Sequence, residues 1–475
     1  MSRAAAVGPV FWLEQALAGG QVVACPPLTG TVRADVCVVG GGYTGLWTAL
    51  ELRAQAPDAS VAVIESHFCG FGASGRNGGW MTSWVDEVDA LVAKFGRDEG
   101  LWLARESSAT IGRIRDFTRE RGIDCHFRQE GTLWAGGTAG QLAEIRAVAR
   151  AAQENGLGHL FEELSGDELR RRSGASVPLG GVLVRDSASV QPALLATGLR
   201  RAALEAGVRI FEGSPMIRLE RDRVASVITP AGRVEADQVV LATNAWAASV
   251  RELRRTFVTV GSQIVLTEPI PERLEGLDWA RGGLLGDARL FVHYAQVTTE
   301  GRIAFGRGGG ALGPLGRVVP QHFYDPATAA EVADDFYRWF PHLREVRLTH
   351  AWGGAVDRAP GHLPFVGALG DHENVHYGVG YSGNGVGPSA LIGRIVAHRA
   401  LGLDDELTRC ALVSGPPAYL PPEPLRFVGG LLVRRGVRSA EEREQEGRPP
   451  GAAGRLAKRL VSFSLPALRR RPTPR

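Results

Sequence analysis

Short uninterrupted apolar runs alternate with helical stretches along the first half of this chain. Val36 to Val39, within DVCVVGGGYTG, and the run VAVI before Glu65 read as strands buried on both faces, with a helix between them. From about 86 to 172 apolar positions return every three or four residues, as in LWLARESSATIGRIRDFTRERG and AGQLAEIRAVARAAQENG, with one short strand, GTLWAGG, between them. VQPALLATGLRRAALEAG then predicts a helix, followed by a strand, a hairpin of alternating residues, and another buried strand, VVLAT. From about 256 to 350 the pattern turns strand-rich, in TVGSQIVLTEP, RLFVHYAQVTTEGRIAFGRGG and REVRLTHAWGG, with TTEG as a hairpin turn. ENVHYGVGYSGNGVGPSALIGRIVAHRALG predicts strand, glycine-rich turn and helix.

The turn after the first strand carries chemistry. Gly40, Gly42 and Gly45 occupy the G-x-G-x-x-G positions that open the next helix. The first glycine permits the tight turn, the second lets a pyrophosphate approach the backbone, and the third lets helix and strand pack closely. Glu65 ends the second strand twenty residues after Gly45, where a carboxylate accepts from a ribose hydroxyl. Strand, glycines, helix, strand and acid in this order predict a bound dinucleotide.

The predicted fold class is therefore α/β. Residues 1–30 form a lead-in whose short helix, FWLEQAL, brings Trp12 onto the body. Residues 31–255 form the nucleotide domain with a helical insertion at about 86–172, 256–350 an antiparallel substrate cap, 351–420 a return to the nucleotide domain, and 421–475 a charged tail. In that tail Leu456, Leu460, Val461 and Phe463 lie among cations, which fits either weak contact with a membrane surface or a segment docked on the body.

The net charge of +3 is too mild to argue for nucleic acid. Five scattered cysteines, Cys25, Cys37, Cys69, Cys125 and Cys410, suit a reduced, cytoplasmic protein without a metal or iron-sulfur centre. His67, His126 and His362 lack metal-ligand spacing and read as structural. No secretory leader and no transmembrane span is expected.

Three separated cofactor-like segments favour FAD over NAD, because a flavin joined to ADP takes contacts from parts of the chain remote in sequence. The string GASGRNGG at Gly72 to Gly79 resembles the D-amino-acid oxidase (DAO) superfamily, and VVLATNAW and GVGYSGNGVGPS are similar to its second and third flavin segments. The branch most resembled is that of the γ-glutamylputrescine oxidoreductases. FWLEQAL, GGGYTGLWTA, TTEGRIAFGRGG and WGGAVDRAPGHLPFVG resemble the aminophosphonate oxidoreductases more closely still. The resemblance implies a Rossmann-like FAD-binding domain of the GR2 type with an inserted antiparallel cap. It also implies an ADP site at Gly40, Gly42, Gly45 and Glu65, a pyrophosphate and linker site at Ser74, Gly75, Arg76 and Asn77, nucleotide contacts at Ala242 and Thr243, and a flavin edge at Gly383, Asn384, Gly385 and Val386.

Two departures from the family pattern bear on chemistry. The WGGAVDR segment lacks the cysteine that links flavin covalently in sarcosine-oxidase-like members, so FAD is expected to be held noncovalently. Ala304 stands where those relatives carry an oxygen-activating lysine, leaving O2 or another electron acceptor open. The family's chemistry is hydride removal beside an amine nitrogen to flavin N5, giving an imine that hydrolyses. His293 and Tyr294 are strand neighbours on opposite faces, so one alone meets substrate, and Tyr294 is preferred. Arg307 is the candidate for gripping an anionic substrate group, and Trp352 for walling the flavin. Alternatives are an NAD-dependent dehydrogenase and a non-catalytic electron-transfer or assembly flavoprotein.

Overall fold

The computed structural model describes residues 10–18 and 24–462. Its first sheet runs Phe365–Leu369, Val375–Val379, Gly232–Leu241, Gly30–Val39, Val61–Ile64 and Arg209–Phe211. Every pair is parallel except the first; Ala225–Ile228 pairs antiparallel with the early part of Gly232–Leu241, and Arg218–Glu220 pairs antiparallel with Ala225–Ile228. Val36 and Val38 pack into the core on one face and Cys37 and Val39 into the core on the other, which explains the unbroken apolar run. Helices Tyr43–Gln55 and Pro388–Ala400 cover the first face in close contact: a Cβ on Gly393 would lie 2.8 Å from Trp47 Cβ.

A second sheet runs Leu348–Arg358, Val258–Thr267, Ile303–Arg307, His293–Val297, Leu284–Asp287, Thr132–Gly136, Gly180–Val184 and Phe161–Ser165. It is antiparallel except where Leu284–Asp287 pairs parallel with Thr132–Gly136. Strands from the expected helical insertion thus join the cap, and Leu348–Arg358 runs in it to Arg358. The turn TTEG forms as expected, with Thr298 N–H donating to Arg302 O and Gly301 at φ +72°. Helix Pro326–Trp339 closes the sheet's outer face through Phe336 and Trp339 against Phe305.

The N-terminal helix Phe11–Ala18 docks as expected. Trp12 is buried, donates to Asn77 O at 3.0 Å and meets Trp352 edge-on. In the tail, helix Leu425–Gln445 is followed by Ala452–Ser462, which packs back on it through small residues: a Cβ on Gly436 would lie 2.6 Å from Ala457 Cβ. This hairpin is tied to the cap by Arg434 Nε donating to Gly309 O (2.7 Å), by Phe291 N–H donating to Glu441 Oε1 (3.2 Å), and by the Arg438–Glu331 ion pair. Leu456 and Leu460 are partly exposed, and Phe463 lies outside the described residues. Among the described residues no helix is long and apolar enough to cross a membrane.

Candidate active site

A cavity of about 510 Å³ opens where the parallel strands end. Gly40, Gly42, Glu65, Ser74, Asn77, Ala242, Thr243, Gly383, Gly385 and Val386 line it, so the three remote segments meet at one place. Gly45, Gly75, Arg76 and Asn384 stand behind the wall. A Cβ on Gly45 would fall 1.9 Å from Gly40 O and one on Gly75 2.4 Å from Gly70 O, so both glycines permit close backbone packing. Arg76 is buried, its Nε donating to Phe71 O while the guanidinium lies over the Phe71 and Phe323 rings. Asn384 Oδ1 accepts from Thr82 Oγ1 at 3.0 Å.

The walls fit a dinucleotide. Gly40, at φ +112°, turns the chain so tightly that a Cβ would lie 2.5 Å from Ala242 O. Gly42 caps helix Tyr43–Gln55 with no side-chain hydrogen bond, leaving an N-terminus suited to a phosphate, and a Cβ there would come within 3.0 Å of Ser74 Oγ. Ser74 Oγ accepts from Tyr43 N–H (2.9 Å), joining the GASGRNGG turn to the glycine-rich turn. Glu65 accepts from Gly41 N–H at 2.8 Å and from Ser66 Oγ–H and His67 N–H at 2.9 Å each, which fixes its carboxylate at the cavity rim. At the other end helix Pro388–Ala400 directs its N-terminus inward behind Gly385, Val386 and Ser389.

Several wall residues were not anticipated. His67, read as structural, stacks on Phe71 with centroids 3.9 Å apart, and burial lowers its pKa. Ser214, Pro215 and Met216 come from an irregular stretch with no motif to announce it. Tyr381 shares a 2.6 Å hydrogen bond with Thr44, and burial pushes its phenol far up. Asp357 stood inside WGGAVDR, where an acid in an apolar strand was the available signal. Its side chain is fully buried, Oδ2 accepts from Gly380 N–H at 2.5 Å, and Oδ1 has no hydrogen-bond partner among the described residues. Burial pushes this carboxyl up to about 6 despite the Gly380 bond.

None of the three catalytic candidates lies in the cavity wall. Tyr294 is on the cap face turned toward the cofactor domain: a Cβ on Gly78 would lie 2.7 Å from its ring, Trp80 meets it edge-on at 6.2 Å, and its hydroxyl shares a 2.7 Å bond with Ser262. His293 takes the other face, bonded to Asp287 (2.7 Å) and Asp335 (2.8 Å). Burial opposes its protonation, but the two acids hold its pKa above the usual value.

Arg307 pairs in register with His293 and shares that outer face, where its Nη1 donates to Asp335 at 3.0 Å. An expected substrate clamp is thus turned away from Tyr294, because Ile303, Phe305 and Arg307 alternate toward helix Pro326–Trp339. Trp352 is core: it is 1% exposed, and its Nε1 donates to Arg76 O at 2.9 Å. Ala304 faces the same apolar cluster as Trp352.

The family profile DAO, described as FAD dependent oxidoreductase, matches residues 35–399. Gamma-glutamylputrescine oxidoreductase of Escherichia coli K12 is 30% identical over 375 residues, covering 78% of this chain and 84% of the relative. The oxidoreductase OrdL of Haemophilus influenzae is 28% identical over 420 residues, covering 87% and 92%. Among solved structures, glycine oxidase from Geobacillus kaustophilus superimposes with a TM-score of 0.65 at 21% identity, covering 79% of this chain and 96% of that one.

Proposed function

Because the chain belongs to the DAO family of FAD-dependent oxidoreductases, we propose that it oxidises the carbon–nitrogen bond of a small amine or amino acid, with γ-glutamyl polyamines and aminophosphonates as the finer candidates. FAD held in this cavity would supply the hydride acceptor, flavin N5, and the route to a final electron acceptor. The amine carbon loses its hydride with help from the nitrogen lone pair, the resulting imine takes up water, and a carbonyl compound and an amine leave.

No strong protein base is needed for that step. The chain binds the cofactor noncovalently between Gly40, Ser74 and Gly385, orients the amine from the Tyr294 and Ser262 face of the cap, and keeps water from the reacting carbon. The convergence of three remote segments on one cavity, with Tyr294 packed directly on Gly78, carries this reading. Ala304 sits in an apolar cluster with no lysine, and the electron acceptor is O2 or another oxidant.

Turnover with an amine panel tests the proposal, using a reducible dye or O2 as acceptor and trapping the carbonyl product as its hydrazone. Hydrazone formed in step with reduced dye, and more slowly with O2, is expected. Dye reduction without a carbonyl product, or no reduction by any amine, would overturn it.

A further inference from the structure

A second cavity, of about 270 Å³, lies beside the first. Its floor is the cofactor-facing side of the cap sheet. Val260 pairs with Val356 and Val258 with Arg358, so these four share one face. Val356 lines the cofactor cavity, and Val258, Val260 and Arg358 line the second. The two cavities therefore abut along a single strand pair. The roof is the C-terminal hairpin, through Leu425, Gly430, Val433, Arg434, Leu460 and Val461. That hairpin lies beyond the matched residues 35–399. At the margin, Leu425 and Leu460 are 67% and 48% exposed.

The charges in this apolar space do not balance locally. Elsewhere in the body Arg200 has Glu212 at 2.9 Å, Arg289 has Asp287 at 3.0 Å and Arg307 has Asp335 at 3.0 Å, and within this lining Arg426 and Glu423 pair with each other at 2.7 Å. Arg358 instead donates to His362 Nε2 at 3.0 Å, and Arg434 to Gly309 O at 2.7 Å; among the described residues no carboxylate lies within ion-pair distance of either. Burial lowers the pKa of both guanidiniums; at Arg434 the neighbouring Arg438 adds to this, and the more distant Glu331 and Asp325 oppose it without reversing it. His362 is no substitute, since burial followed by Arg358 holds it near 4 and hence neutral. Glu87, whose field reaches Arg358, is pushed up to about 8, first by burial and then by Asp86 and Asp89.

We propose that this cavity is a subsite for the end of the substrate remote from the reacting carbon, and that this end is an oxyanion, a carboxylate or phosphonate, held by Arg358 and Arg434. The proposal rests on the amine-oxidation reading above. The substrate class it names is an amine joined through an apolar segment to an anionic terminus, the segment lying between Val258, Val260 and the hairpin. A space about nine times a water's share of liquid volume, ~30 Å³, admits a substituent of several heavy atoms. Guanidinium favours a planar or tripod oxyanion over an uncharged end by charge-assisted hydrogen bonds.

The test is calorimetric titration of the FAD-loaded full chain with octanoate, octylphosphonate and, as the uncharged probe, octanol. One anion per chain is expected, with octanol weaker by about tenfold or more. Arg358→Gln and Arg434→Gln each weaken the anions by about tenfold or more and leave octanol binding in place. Octanoate raises the KM for the amine without lowering kcat. Flavin content and circular dichroism establish that each variant is folded, and the second arginine keeps the test open if the first variant is not.

Equal binding of octanol and octanoate, anion binding indifferent to both substitutions, or no binding would overturn the subsite. Amines that bleach the flavin while the alkyl anions fail to bind would remove the subsite and leave amine oxidation standing. Anion binding that depends on both arginines, with no amine bleaching the flavin, would do the reverse.

Discussion

Replacing Asp357 with asparagine isolates the cost of a carboxyl buried in the cavity wall. Its pKa rises from 3.8 to about 6 because burial disfavours the charged form. The folded protein therefore prefers the protonated group. The stability this contributes is fully present below 3.8 and is lost as pH rises through about 6. A rise of that size corresponds to about 3 kcal/mol between the two protonation states. In Asp357→Asn the new side chain would keep an oxygen for Gly380 N–H, at the position where Oδ2 now accepts at 2.5 Å, and would not ionise. For FAD-stripped protein unfolded in urea, the variant and the parent should thus lie closest near pH ~4. The variant should gain on the parent through pH ~6 and lead by as much as about 3 kcal/mol above pH ~7. Stability curves that run parallel from about pH 4 to about pH 8 would refute the reasoning, and so would a variant that loses ground with rising pH.

Three further outcomes follow from packing. Gly45→Ala places a methyl 1.9 Å from Gly40 O, so it should cost about 1–3 kcal/mol of stability and leave the purified protein poor in FAD, as absorbance shows. Arg307→Ala removes one partner of a buried Asp335 that His293 and Arg338 also contact; urea unfolding should show a loss of at most about 3 kcal/mol, with the substrate preference of the folded protein retained. Tyr294→Phe deletes the hydroxyl bonded to Ser262, and stopped-flow flavin reduction should slow between about tenfold and a hundredfold with FAD content intact.

The cofactor domain was legible because its signals are local. Val36 to Val39, the three glycines and Glu65 lie within one βαβ unit, and GASGRN and GNGV each mark a turn whose backbone shape depends on its own residues. Gly383 and Ser382 both have positive φ there, and Ser382 Oγ accepts from Ala359 N–H to hold the turn. The cap was legible as strands but not as a sheet. Thr132–Gly136 enters it through a parallel partner some 150 residues away, a pairing that no local pattern encodes. Arg307 was misplaced for a simpler reason: the candidate was chosen for its chemistry, whereas the alternation with Ile303 and Phe305 already put it on the apolar outer face. The docked tail depends on Arg434 and Glu441 finding backbone groups at Gly309 and Phe291, contacts visible only after folding.

The most direct test of the account is the visible spectrum of the purified protein, recorded before and after anaerobic addition of aminoethylphosphonate, its N-methyl derivative, γ-glutamylputrescine, sarcosine and D-amino acids. The account predicts oxidised-flavin bands that are released by denaturation, as noncovalent binding requires, and that bleach with at least one of these amines. A colourless protein that does not take up added FAD, or a flavin that none of the amines reduces, would contradict it.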